Sequence, residues 1–74
     1  MTLKTGVLIE KDSNGYYAYC PDLPGCQSEG STFDETLANI KEAVELYCET
    51  LSPEEVERYF SKEIYTTSLE VSFG

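Results

Sequence analysis

Seventy-four residues carry fourteen acidic side chains against five basic ones, a formal charge of −9 with no histidine. A field of that sign repels phosphate backbones and anionic lipid, which disfavours direct nucleic-acid binding; it either speeds association with a basic partner or simply keeps a small domain soluble. The length allows one small domain whose core contributes only about 3–5 kcal/mol of net stability, so association into a homo-oligomer is expected.

The first strand is expected over residues 2–11, where Leu3, Val7 and Ile9 alternate with Lys4, Gly6 and Glu10. Asp12-Ser13-Asn14-Gly15 supplies turn chemistry, with Asn14-Gly15 suited to the positive φ values of a tight hairpin, and residues 16–20 return as the second strand. Tyr16, Ala18 and Cys20 then share one face, and Tyr17 and Tyr19 the other. Pro21-Asp22-Leu23-Pro24-Gly25-Cys26 ends that strand, because each proline fixes φ and removes a donor while Gly25 takes the positive φ of a reversal. A short third strand follows over residues 26–29.

Thr32-Phe33-Asp34-Glu35 reads as a capping box, with the threonine hydroxyl accepting from the Glu35 amide and the glutamate reaching back to the cap. Phe33, Leu37, Ile40, Val44, Tyr47 and Leu51 recur in steps of four and three, giving an apolar stripe along about five helical turns. Ser52-Pro53-Glu54-Glu55 starts a second, short helix over residues 53–61, with Val56, Tyr59 and Phe60 as its apolar positions. In residues 63–73 the pattern returns to strand, with Tyr65, Leu69, Val71 and Phe73 on one face and Thr66, Ser68, Glu70 and Ser72 on the other. The expected fold is α+β, in the order β-β-β-α-(short α)-β. Its mixed four-stranded sheet carries the long helix on one face, and the last strand lies parallel to the first through a right-handed crossover.

The sequence offers little to catalysis. Nucleophilic chemistry of the Cys-His or Ser-His kind has no general base, and a cysteine in an acidic chain lacks the electropositive setting that makes a thiolate. Cys20, Cys26 and Cys48 are an odd number without CxxC spacing, and no apolar signal region precedes the first strand. A reduced, cytoplasmic protein is expected, with no apolar run long enough to span a bilayer. No catalytic residue, metal ligand or cofactor is assigned. Glu10, Asp12, Glu35 and Glu70 are the carboxylates weighed for a magnesium-dependent nuclease, but Glu35 is occupied as a cap and Asp12 belongs to a turn.

Binding is the better-supported role. Tyr17, Tyr19 and Leu8 lie on a sheet face that little of the chain can cover, which suits an oligomer or partner interface. Asp22, held between two prolines, reads either as the cap of an Asx-type turn or as a contact to a basic partner. Asn39, poor in mid-helix, either bonds loop backbone or is simply exposed. The residues assigned to partner binding are Tyr17, Tyr19, Pro21, Asp22 and Leu23.

Gly15-Tyr16-Tyr17-Ala18, the 21–26 turn, Gly30, Thr32, and the helical run from Glu35 through Asn39 to Ala43 together resemble the HicB-like antitoxin family. Thr36 departs from the pattern, which more often has alanine there. The resemblance implies a partial ribonuclease H fold without a working catalytic acid set. It also implies a partner, HicA, a small basic messenger-RNA-cleaving ribonuclease that the antitoxin occludes. Many members carry a separate DNA-binding domain. Here residues 1–74 are expected to form a single HicB-like domain without one. The alternatives are an oligomeric interaction scaffold without a toxin and, in another class, the metal-dependent nuclease.

Overall fold

Alternating apolar residues build three short strands, and two capped helices follow them. The computed structural model describes residues 3–74. In chain order these elements are β1 (Leu8–Asp12), β2 (Gly15–Tyr19), β3 (Gln27–Gly30), α1 (Phe33–Glu49) and α2 (Pro53–Phe60). The strands form one antiparallel sheet in the order β1-β2-β3. The α+β class and the order of the first five elements are as expected.

The register explains where β1 begins. Leu8 stands opposite Tyr19 and Asp12 opposite Gly15, so residues before Leu8 face a chain that has already turned away at Pro21. The strand expected from residue 2 therefore starts at Leu8, and Thr2 lies outside the described residues. At the hairpin only Gly15 takes a positive φ, of 130°, while Asn14 keeps an ordinary one. The Asp12 carboxylate caps this turn by accepting from the Asn14 amide at 2.8 Å.

Both helix starts form by side-chain capping. The Thr32 hydroxyl accepts from the Glu35 amide at 3.0 Å, but the Glu35 carboxylate reaches one residue further back than expected, to the Ser31 amide at 3.1 Å. At α2 the reciprocal box is complete. Glu55 N donates to Ser52 Oγ at 3.2 Å and Ser52 N to Glu55 Oε1 at 3.0 Å. That backbone N–H at Ser52 holds the Glu55 carboxyl below the usual carboxylate range.

The core lies between the inner sheet face and α1. Ala18, Cys20, Leu23, Cys26 and Ile40 are buried, with Ile9, Ala43, Val44, Tyr47, Cys48, Leu51, Tyr59 and Phe60 packed around them. The buried line of α1 runs through Thr36 and Ile40, whereas Phe33 and Leu37, expected on the stripe, remain 49% and 44% exposed. Gly30 is the cause. A methyl group there would stand 2.6 Å from Thr36 Oγ1 and 3.0 Å from Thr36 N, so the helix meets β3 through small atoms rather than large apolar ones. Thr36 satisfies its buried hydroxyl by donating to the Thr32 carbonyl at 2.7 Å. Gly30→Ala is accordingly expected to cost about 1–3 kcal/mol by overpacking, read as a lower denaturant midpoint. Thr36→Ala in the same chain recovers part of the loss, since the backbone contact remains.

The fourth strand is not formed. Residues 61–74 contain no helix or strand and are exposed throughout. Tyr65, Leu69, Val71 and Phe73 are 84%, 83%, 74% and 96% exposed. The alternation in this segment is that of a strand, but a ladder needs a neighbour and an apolar surface beneath it. Here the tail makes no ladder with β1, and the groove between the segment before β1 and α1 stays open.

Candidate partner-binding surface

Two prolines and a glycine build the turn after β2 as two successive reversals. Leu23 N donates to the Cys20 carbonyl at 3.1 Å, and Cys26 N donates to the Leu23 carbonyl at 3.0 Å. Each reversal has proline at its second position, and Gly25 follows Pro24 with a φ of 79°, as a type II turn requires. Cys20 N donates to the Cys26 carbonyl at 3.0 Å and closes the loop at its base. Leu23, at the junction, points inward and is fully buried. Its expected role as a partner contact is therefore corrected: the side chain anchors the turn in the core and presents no surface.

Asp22 is a clasp. Its Oδ2 accepts from Thr5 Oγ1 at 2.8 Å and from the Gly6 amide at 3.1 Å, tying the segment before β1 to the turn. Neither of its two expected readings included these donors. On the far side Tyr47 of α1 donates its hydroxyl to the Pro24 carbonyl at 2.8 Å. The turn is thus fastened from both flanks. Asp22→Ala is expected to cost about 1 kcal/mol, the lower end for bonds to a charged acceptor because the site is half open. That corresponds to a fall in melting temperature of about 4–8 °C and faster amide exchange at Gly6.

The outer sheet face carries the tyrosines. Tyr17 and Tyr19 lie side by side with ring centroids 5.8 Å apart, and the Tyr17 hydroxyl donates to Gln27 Oε1. Pairing sets Glu10 and Glu29 on either side of Tyr17, and Leu8 and Gln27 on either side of Tyr19. The result is an aromatic pair fenced by two carboxylates, with α1 on the opposite face. Such a surface receives guanidinium and ammonium groups through ring faces and charge together. Pro21 and Asp22 lie beside it, at the end of the sheet, lining with Leu8 a depression of about 350 Å³.

Of the expected contact residues, then, Tyr17 and Tyr19 share one face, Pro21 and Asp22 border it, and Leu23 is elsewhere. Glu10 and Glu29 belong to the surface although composition did not single them out for binding. The Asn14-Gly15 hairpin held the signal, since a two-residue reversal puts Glu10 opposite Tyr17. Asn39 resolves as a structural group, its Nδ2 donating to the Glu29 carbonyl on β3 at 2.9 Å.

Nothing brings the nuclease carboxylates together. Glu10 is on the outer face, Glu35 is bonded to Ser31 at the start of α1, and Glu70 is on the exposed tail. Among the described residues no group of three or more His, Cys, Asp or Glu side chains is placed to hold a metal ion. The three cysteines are free thiols. Burial pushes the Cys26 and Cys48 thiols up, and Cys20 nearby adds to both shifts, which keeps them protonated and unreactive. No helix among the described residues is long and apolar enough to cross a membrane.

A family described as "HicB_like antitoxin of bacterial toxin-antitoxin system" matches residues 6–73. The chain is similar to a UPF0150 protein of Helicobacter pylori, 44% identical over 67 residues that cover 90% of this chain and 93% of the relative. It is also similar to UPF0150 proteins of Synechocystis, 55% identical over 49 residues (65% and 62% of the two chains), and of Thermoplasma acidophilum, 50% identical over 50 residues (66% and 72%). No solved structure gives a significant match. With nearly its whole length matched, the chain belongs to the HicB-like antitoxin family of bacterial toxin–antitoxin systems.

Proposed function

We propose that this chain neutralises a HicA-type toxin, a small basic ribonuclease that cleaves messenger RNA, by covering the surface with which that toxin grips RNA. The observation that carries this reading is the outer sheet face, where Tyr17 and Tyr19 are flanked by Glu10 and Glu29. A surface evolved to hold phosphate offers lysines and arginines, and carboxylates set around stacked rings meet those groups as RNA does. Inhibition is steric and electrostatic, so the antitoxin itself performs no chemistry. The family membership supports a toxin partner in general, and the charge of −9 supports a basic one. Three free thiols suit the reducing cytoplasm in which messenger RNA is translated.

The test is reconstitution with any small basic protein found encoded beside this chain. A complex that forms at low ionic strength, weakens steeply as salt is raised and abolishes RNA cleavage is expected. Failure to bind any such neighbour at low salt overturns the reading, as does RNA turnover by the purified chain alone.

A further inference from the structure

Two unpartnered surfaces of this chain fit each other. The first is β1, an edge strand with one side of its backbone unpaired. Beside it lies an open groove of about 370 Å³ between the segment before β1 and α1, lined by Thr5, Val7, Leu37, Ile40 and Val44 with Lys41 and Glu45 at its rim. Val7 and Leu37 are 36% and 44% exposed there. The second surface is the tail, in which Tyr65, Leu69, Val71 and Phe73 alternate with polar residues and stand almost bare. A free edge invites a strand, and a strand-patterned segment with one apolar face requires an edge and a groove.

The geometry indicates where the pairing occurs. Leaving α2, the tail passes the segment before β1, so that Lys62, Ile64 and Thr66 line one depression with Lys4, Gly6, Val7 and Leu8. Beyond that point every residue is exposed. The chain measures 49 × 28 × 18 Å, with a radius of gyration of 14.5 Å, against roughly 11 Å for a compact chain of this length. The tail reaches away from its own body while starting beside the edge it matches.

We propose that two copies of this chain exchange residues 63–73, each tail adding a strand to the free β1 edge of the other copy and laying its apolar face into that copy's groove. The exchange is reciprocal: one twofold axis fills both edges and both grooves, and nothing is left to propagate. Its size is adequate. The two aromatics of each tail cover about 150–250 Å² apiece, and Leu69, Val71 and the two grooves bring the total into the range of about 1,200–2,000 Å² that specific interfaces bury. The interface leaves Tyr17 and Tyr19 uncovered on the outer face. It does not rest on the toxin reading, and salt separates the two. Apolar association between copies that are both strongly acidic strengthens as salt screens their repulsion, whereas an acidic–basic complex weakens.

Light scattering of the full chain is expected to give the mass of two copies, and more completely at high salt. Leu69→Asp with Val71→Asp is expected to give monomer, with association weakened by about 100-fold or more through buried like charge. Its helical circular dichroism should be kept, since neither residue touches the core. For the exchange itself, a nitroxide is placed on Gly74→Cys in unlabelled chain and mixed with isotope-labelled wild type. Broadening of the labelled Leu8–Asp12 and Leu37–Val44 amides is the expected result. A monomeric wild type, a dimer unchanged by the two aspartates, or labelled Leu8–Asp12 and Leu37–Val44 amides left sharp in the mixture each overturns the proposal.

Discussion

Leu23→Ala is expected to lower the melting temperature by on the order of 10–40 °C, the largest loss of any single truncation in the turn. The side chain is fully buried at the junction of two reversals. Removing it withdraws apolar atoms from a core that cannot collapse around them, because the two prolines fix the backbone on either side. Such truncations cost about 2–5 kcal/mol, and each kcal/mol moves the midpoint of a domain this size by about 4–8 °C. That is a large fraction of the total stability a small core provides. Leu23→Met, which conserves volume, is expected to cost less than about 1.5 kcal/mol. Thermal melts followed by circular dichroism read both. A melting point for the alanine variant within a degree or two of wild type contradicts the anchoring role.

Tyr17→Ala and Tyr19→Ala should behave in the opposite way, sparing the fold and weakening the proposed toxin complex. Both rings lie on the outer face, where Tyr17 is 38% exposed, and what the fold loses is one ring pair and the Gln27 bond, about 0.5–1.5 kcal/mol. Aromatic residues at the centre of an interface cost about 2 kcal/mol or more when truncated, which is roughly 30-fold in dissociation constant for each tyrosine. Tyr17→Phe keeps the ring and loses only the hydroxyl's bond, so it should stay within about tenfold of wild type. Glu10→Lys and Glu29→Lys should slow association and flatten its dependence on salt. Titration calorimetry against the toxin distinguishes these outcomes. Undiminished affinity in the double alanine variant would move the contact to another face.

Much of this arrangement was legible before any coordinates. Turn chemistry is local, so the Asp12–Gly15 reversal, the proline turn and both capped helix starts could be read from neighbouring residues alone. The tyrosine face followed from alternation. What escaped the sequence depends on distant packing. Thr36, not Phe33 or Leu37, is fully buried against the sheet because Gly30, six residues earlier, admits the helix backbone, while Phe33 reaches only Tyr16 at the rim. Leu23 sits in a loop motif that looks like surface, and only the closure of two reversals shows it turned inward. The segment before β1 alternates like a strand, yet its opposite number has become a turn and Asp22 claims its donors instead. The final segment is patterned as a strand with equal clarity, but pattern specifies a face and not the edge with which that strand pairs.

Tyr47 joins three parts of the molecule. Its hydroxyl holds the Pro24 carbonyl, and its ring meets that of Tyr59 in α2 at 6.4 Å, edge to face. Burial, with Tyr59 adding to it, pushes the ionisation of this phenol up. A proton that the folded form retains more firmly than the unfolded one lends stability at every pH below the phenol's ordinary range, and that stability drains away as alkali carries the solution through the raised value. The phenolate formed then has no proton to give Pro24. Base should therefore loosen the hold of α1 on the Pro24 turn, and phenolate absorbance near the ultraviolet edge, rising late and together with the loss of tertiary circular dichroism, would record that loosening.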